Sequence, residues 1–199
     1  MAVLAEPRPA ALAPPRREVQ IVPVKALPVV GIVLAGLVVA IATNGGWALD
    51  FFHVVGGGLW TALDLFLGLV LGPIMGTMSI PSRVEFSSRL MPKLLVIMPT
   101  VVTMTLGSGF QLARHLGHLA PTYVNHDWLV ASYAIVGVMA VIALGLLEPA
   151  TVAVLFELRR PTPNPARIQR LMKVFIYTAG VTGLMQIATL VIMTKLASG

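Results

Sequence analysis

LPVVGIVLAGLVVAIATNGGW, residues 27–47, runs for twenty-one positions without a charged side chain. An α-helix rises 1.5 Å per residue, so about 20 apolar residues reach across the hydrocarbon core of a bilayer. Four further apolar runs follow, at 51–75, 94–113, 129–158 and 174–196. The fourth carries Glu148 and Pro149 inside it. The pattern predicts an all-α integral membrane protein of five transmembrane helices. The last four form a four-helix bundle core, and the first is added outside it.

Composition excludes most other classes. Of the 199 residues 57% are hydrophobic and 11% are charged, against about 25% charged in soluble domains. That is too little polar surface to cover a soluble fold, so the lipid bilayer is the implied partner. Cysteine is absent, which removes disulfides, thiolate metal sites and redox thiols. The formal charge of +6 is no nucleic-acid footprint, because the basic residues sit in short loops between apolar runs. Neither a phosphate-binding loop nor a dinucleotide fingerprint is present.

The first 26 residues are rich in Pro and Ala, with Arg8, Arg16, Arg17 and Lys25. Prolines at 7, 9, 14, 15 and 23 argue against a signal peptide. An extended cytoplasmic tail is expected instead. The second loop carries Arg83, Arg89 and Lys93, and the fourth carries Arg159, Arg160, Arg167, Arg170 and Lys173. Together with the tail these hold twelve of the fourteen basic residues, leaving Arg114 and Lys195 opposite. The positive-inside rule then puts the N-terminus in the cytoplasm and the C-terminus outside. Trp47, Tyr123 and Trp128 fall at the predicted outer interface.

Arg89-Leu90-Met91 before the third run and Arg170-Leu171-Met172 before the fifth hint at a parallel repeat of two hairpins. Gly68, Gly72 and Gly76 share one helical face, where small residues let two backbones approach closely.

All four histidines are predicted on the outer side. His53 begins a stripe that continues through Gly57, Trp60 and Asp64 at helical spacing. His115 and His118 close the third helix on one face, and His126 follows in the loop. Imidazole suits haem iron, copper and zinc. His53 with His115 or His118 would bracket haem b, while the same group with His126 would hold copper or zinc. The spacing is equally that of histidines tolerated at a water interface. Asp64 and Glu148 fall within the apolar runs, toward the inner side. Ionisable residues at such depth are costly and often functional; pairing with Lys93 or Lys173 is the structural expectation.

The run Phe52-His53-Val54-Val55-Gly56-Gly57-Gly58-Leu59-Trp60 resembles the "HvxGxxxW" opening of the CopD-like copper-resistance membrane domain and of an allied family of integral membrane proteins of unknown function. The protoporphyrinogen oxidase of the HemJ type is more distantly similar. Pro99 and Leu106-Gly107-Ser108-Gly109 in the next helix fit as well. The resemblance covers about residues 51–196 and implies a four-helix core, with haem or copper handling and His53 as a ligand. The additional N-terminal helix and Asp64 depart from it.

Three functions are therefore open. One is a redox or metal-handling membrane protein binding haem or copper at its outer face. Another is a cofactor-free accessory subunit whose partners are other membrane subunits. The last is a small transporter, for which Asp64, Glu148 and His53 would supply the polar path. Whether the chain is an enzyme is not decided by its residues, and none is assigned a catalytic role.

Overall fold

Asn44 stops the first helix by entering the left-handed region, at φ 51°. Its amide bonds back to the carbonyls of Ala40 and Ile41, a stop that Asn accepts more readily than most residues. Gly45 is extended, and the next helix starts at Gly46. The computed structural model describes residues 20–198, and helix is the only regular structure among them. Five of these helices are long and apolar enough to cross a membrane: α1, Val24–Thr43; α2, Gly46–Thr77; α3, Ile80–His115; α4, His126–Arg159; and α5, Pro165–Ser198. Most of the expected tail, residues 1–19, lies outside the described residues.

Helices and apolar runs differ at their starts. The third run begins at 94, but α3 begins at Ile80. Ser79 caps it, its hydroxyl oxygen accepting from the Ser82 amide at 3.4 Å, and Pro81 sits in the first turn. The fifth run begins at 174, but α5 begins at Pro165. There the Asn164 side-chain oxygen accepts from the amides of Ala166 at 3.0 Å and Arg167 at 3.2 Å. These added turns are amphipathic. Ser87 and Met91 are buried, while Arg89 and Lys93 face outward. Hydropathy registers only the stretch that is apolar all round. Trp47, the last residue of the first run, belongs to α2 and is 80% exposed.

The main core cluster draws its side chains from α2, α3, α4 and α5, with Trp60, Met91, Val154 and Ala179 among them. α2 packs on α3 and on α5, and α4 packs on α5 and on α3. Exchanging one hairpin for the other exchanges these pairings, as a two-fold repeat requires. α1 lies outside this set, against α3 and α2.

The hairpins share a second feature. In α2, residues 66–71 form a π-helical stretch in which the Gly72 amide reaches the Leu67 carbonyl. In α4, residues 143–147 do the same, the Glu148 amide reaching Ala143. Pro73 and Pro149 each follow two residues after the stretch. Proline has no N–H to give the carbonyl four residues back, and its ring crowds that carbonyl. Widening the preceding turn relieves both problems. The fifth residue of spacing is thus set by an identical cause in both hairpins.

The turn joining α4 to α5 is held by Glu157, whose side chain is 2% exposed. One carboxylate oxygen accepts from the Asn164 amide at 3.1 Å, and the other lies 3.4 Å from Nε of both Arg160 and Arg167. Both arginines are more than half exposed, so screening weakens the ionic part. The buried amide bond contributes more. Glu157→Ala is expected to cost about 1–3 kcal/mol and to open residues 160–164 to protease before the rest of the chain. Limited proteolysis in detergent, set beside a melting curve, measures both.

Candidate functional site

Asp64 has no exposed surface, and it lies close to the middle of α2. Two side chains of α5 meet it. The Thr182 hydroxyl donates to Oδ2 at 2.9 Å, and Gln186 Nε2 donates to the same oxygen at 2.7 Å. Thr182 and Gln186 are one helical turn apart, so they present to α2 as a pair. Close approach of the helices makes this reach possible. Gly68 lies against Gly180 with no space for a side chain, and Gly183 lies close against the Asp64 and Leu65 backbone with little. Gly68 and Gly72 of the glycine face of α2 therefore pack within the chain, against α5.

The bonding at this centre is uneven. Oδ1 of Asp64 and Oε1 of Gln186 are both buried and both lack a partner, although the two side chains are already joined through Oδ2 and Nε2. Each is an acceptor only while Asp64 is ionised. A proton on Oδ1 would make it a donor, on a carboxyl already bonded to an amide whose own oxygen is unsatisfied. Thr182 adds a further choice, because its one hydroxyl hydrogen has three oxygens in range. These are Asp64 Oδ2, the Thr178 carbonyl at 3.1 Å and the Ala179 carbonyl at 3.0 Å.

A small cavity adjoins Asp64. Trp60, Met98, Phe175, Thr151 and Glu148 line it with Asp64, and its volume of about 20 Å³ is enough for one water. Glu148 follows the π-helical stretch of α4, as Asp64 precedes that of α2. Among the described residues Glu148 has no ion-pair partner. The expected pairing of these carboxylates with Lys93 or Lys173 does not occur. Both lysines are exposed, and α5 supplies neutral donors to Asp64 instead.

The four histidines gather at the opposite end of the bundle from the 160–164 turn, where α2 and α4 begin and α3 ends. Each is held in a setting of its own. His53 Nδ1 donates to the Thr105 carbonyl at 2.9 Å, in a notch that the missing side chain of Gly109 leaves open. His115 is exposed and covers Gly46. His118 stacks on Tyr123 with ring centres 4.0 Å apart, and His126 keeps a buried Nδ1 without a partner. Among the described residues no three His, Asp or Glu side chains come together as metal ligands. The expected copper or zinc group is thus dispersed over four local settings. His53 alone is held as ligating imidazoles are, with one nitrogen anchored on a carbonyl.

Thr182 and Gln186 were not singled out by reading the sequence. Their signal was a polar pair at i, i+4 inside the fifth apolar run. Comparison with protein-family models, with curated proteins and with solved structures finds no match.

Proposed function

We propose that this chain is a multi-pass protein of the bacterial cytoplasmic membrane that binds and releases a proton at Asp64, as the working centre of a small proton-coupled transporter. The observation that carries this reading is the buried carboxyl whose Oδ1 and neighbouring amide oxygen are both unsatisfied. Ionisable side chains inside bilayers are rare, and those facing a bundle interior mark proton and ion routes. Asp64 has two bonding patterns available. Ionised, it accepts from Thr182 and Gln186; neutral, it also donates to Gln186, while Thr182 turns to its own backbone. Glu148, across the one-water cavity, is the natural donor and acceptor for the exchange.

The test is proton entry into sealed vesicles carrying the purified protein, driven by a potassium diffusion potential and read by a trapped pH dye. Faster entry than into protein-free vesicles is expected. Infrared spectra across pH should also show a protonated-carboxyl band that Asp64→Asn removes. Equal entry, together with no carboxyl band that responds to pH, would defeat the reading.

Orientation follows from charge: the ends rich in Arg and Lys face the cytoplasm, with the N-terminus inside and the C-terminus outside. Because the chain has no cysteine, single introduced cysteines report without background. Thr122→Cys should react with a membrane-impermeant maleimide in intact cells, and Thr162→Cys only after lysis. The reverse labelling would overturn the orientation.

A further inference from the structure

A second cavity, of about 360 Å³, opens between α2, the start of α3 and the first half of α5. Its floor is the face of Gly68, Gly72 and Gly76. An added side chain at Gly76 would meet nothing within 4 Å, so the groove stays open where the glycines run past α5. Apolar side chains, Ile80, Met172 and Ile176 among them, supply most of the wall. Tyr177 stands at its edge and is 73% exposed.

Two cations share this apolar space. Arg83 is half-buried, and its guanidinium is aimed by two backbone bonds, Nε to the Met78 carbonyl at 2.9 Å and Nη2 to the Gly76 carbonyl at 2.8 Å. Those bonds leave Nη1 unused. Lys173 lines the same cavity from α5. Neither cation pairs with a carboxylate among the described residues; Glu85 is taken by Arg89, and Glu157 by Arg160 and Arg167. An occupant must therefore offer an anion at one end and hydrocarbon along the rest. Free phosphate would satisfy the cations and leave the apolar wall empty. A neutral lipid would do the reverse.

We infer that this groove binds one anionic phospholipid, its phosphate between Arg83 and Lys173 and an acyl chain along the apolar wall in the open space beside Gly76. Basic pockets between membrane helices on the positively charged side suit such headgroups. The inference rests on membrane insertion, but not on proton handling at Asp64.

Native mass spectrometry of the full chain in mild detergent is the test, with phosphatidylglycerol, phosphatidylcholine of identical chains and inorganic phosphate as separate probes. One phosphatidylglycerol per chain is expected to survive activation that strips phosphatidylcholine. Lys173 is exposed and joins no ion pair among the described residues, so Lys173→Gln should weaken phosphatidylglycerol retention at least tenfold without unsettling the fold. Gly76→Leu, filling open space, should displace the lipid while the melting temperature holds. Equal retention of both lipids, or retention unchanged in both variants, would overturn the site. So would phosphate alone competing the lipid away, since that would make the occupant a small anion. Vesicle proton entry in the same variants keeps this outcome separate from the fate of Asp64.

Discussion

Asp64→Asn protein is expected to melt with the parent and to pass protons more slowly by a factor on the order of 100, the scale of a lost proton-transfer group. The amide is a close copy of the neutral acid. Its oxygen takes the place of Oδ2 and still accepts from Thr182 and Gln186. Its NH₂ takes the place of Oδ1 and meets the Gln186 oxygen that lacks a partner. The two atoms left without partners at this centre are then matched as donor and acceptor, so stability should stay within about 1 kcal/mol of the parent. What Asn cannot do is release the proton. Asp64→Leu makes the complementary case. Thr182 can fall back on the Thr178 and Ala179 carbonyls, but the Gln186 amide loses its one partner. An unsatisfied buried amide costs about 1–3 kcal/mol, so the leucine variant should be both inactive and less stable. Melting curves and vesicle measurements on the two variants separate bonding from proton exchange. Parent-like proton entry in Asp64→Asn would remove Asp64 from the route.

The other large effect is expected at Gly68. A Cβ there would stand within 2.8 Å of the Gly180 amide nitrogen, and closer still to its Cα. Those are backbone atoms and cannot rotate aside, so α2 and α5 must part. Helices in lipid gain little from hydrophobic burial against each other and depend on close packing. Overpacking of this kind costs about 1–3 kcal/mol, and more where the backbone must move. The two bonds to Asp64 span the same seam, so Gly68→Val should lose proton transfer along with stability. Gly180→Ala is the control, because a Cβ at 180 meets Gly68 Cα at an ordinary 3.4 Å. Thermal melting in detergent should place Gly68→Val well below the parent and Gly180→Ala near it. Equal melting of the two would refute the seam.

The five helices were readable because hydrocarbon demands long apolar runs with few charges, and residues 27–47, which hold none, leave little else to conclude. The helix starts at Ile80 and Pro165 were not, since their amphipathic turns dilute the apolar signal that marks a span. Asp64 stood out as a charge in an apolar run, and Glu148 with it. Their partners did not stand out. Lysine is the obvious mate for a carboxylate in one dimension, whereas Thr182 and Gln186 become candidates only once Gly68 and Gly180 have brought α5 against α2. The histidines mislead for a related reason. Sequence order brings His53, His115, His118 and His126 to one end of the bundle, but convergence depends on side-chain direction. That direction is decided by Thr105, Gly109 and Tyr123, neighbours that carry no mark of the role.

The π-helical stretches bear on how these helices tolerate changes in length. Each wide turn holds about one residue more than the α-turn it replaces. Loss of a single residue there, such as Leu69 or Val70 on the outward surface, would tighten the turn and leave the flanking segments facing their old neighbours, at the cost of bringing back the crowding by Pro73. The same loss elsewhere in α2 would swing everything beyond it by about 100°, carrying Gly72 and Gly76 away from α5. Residues 66–71 and 143–147 are thus the two places in these helices where chain length can drift by one without turning a helix out of register.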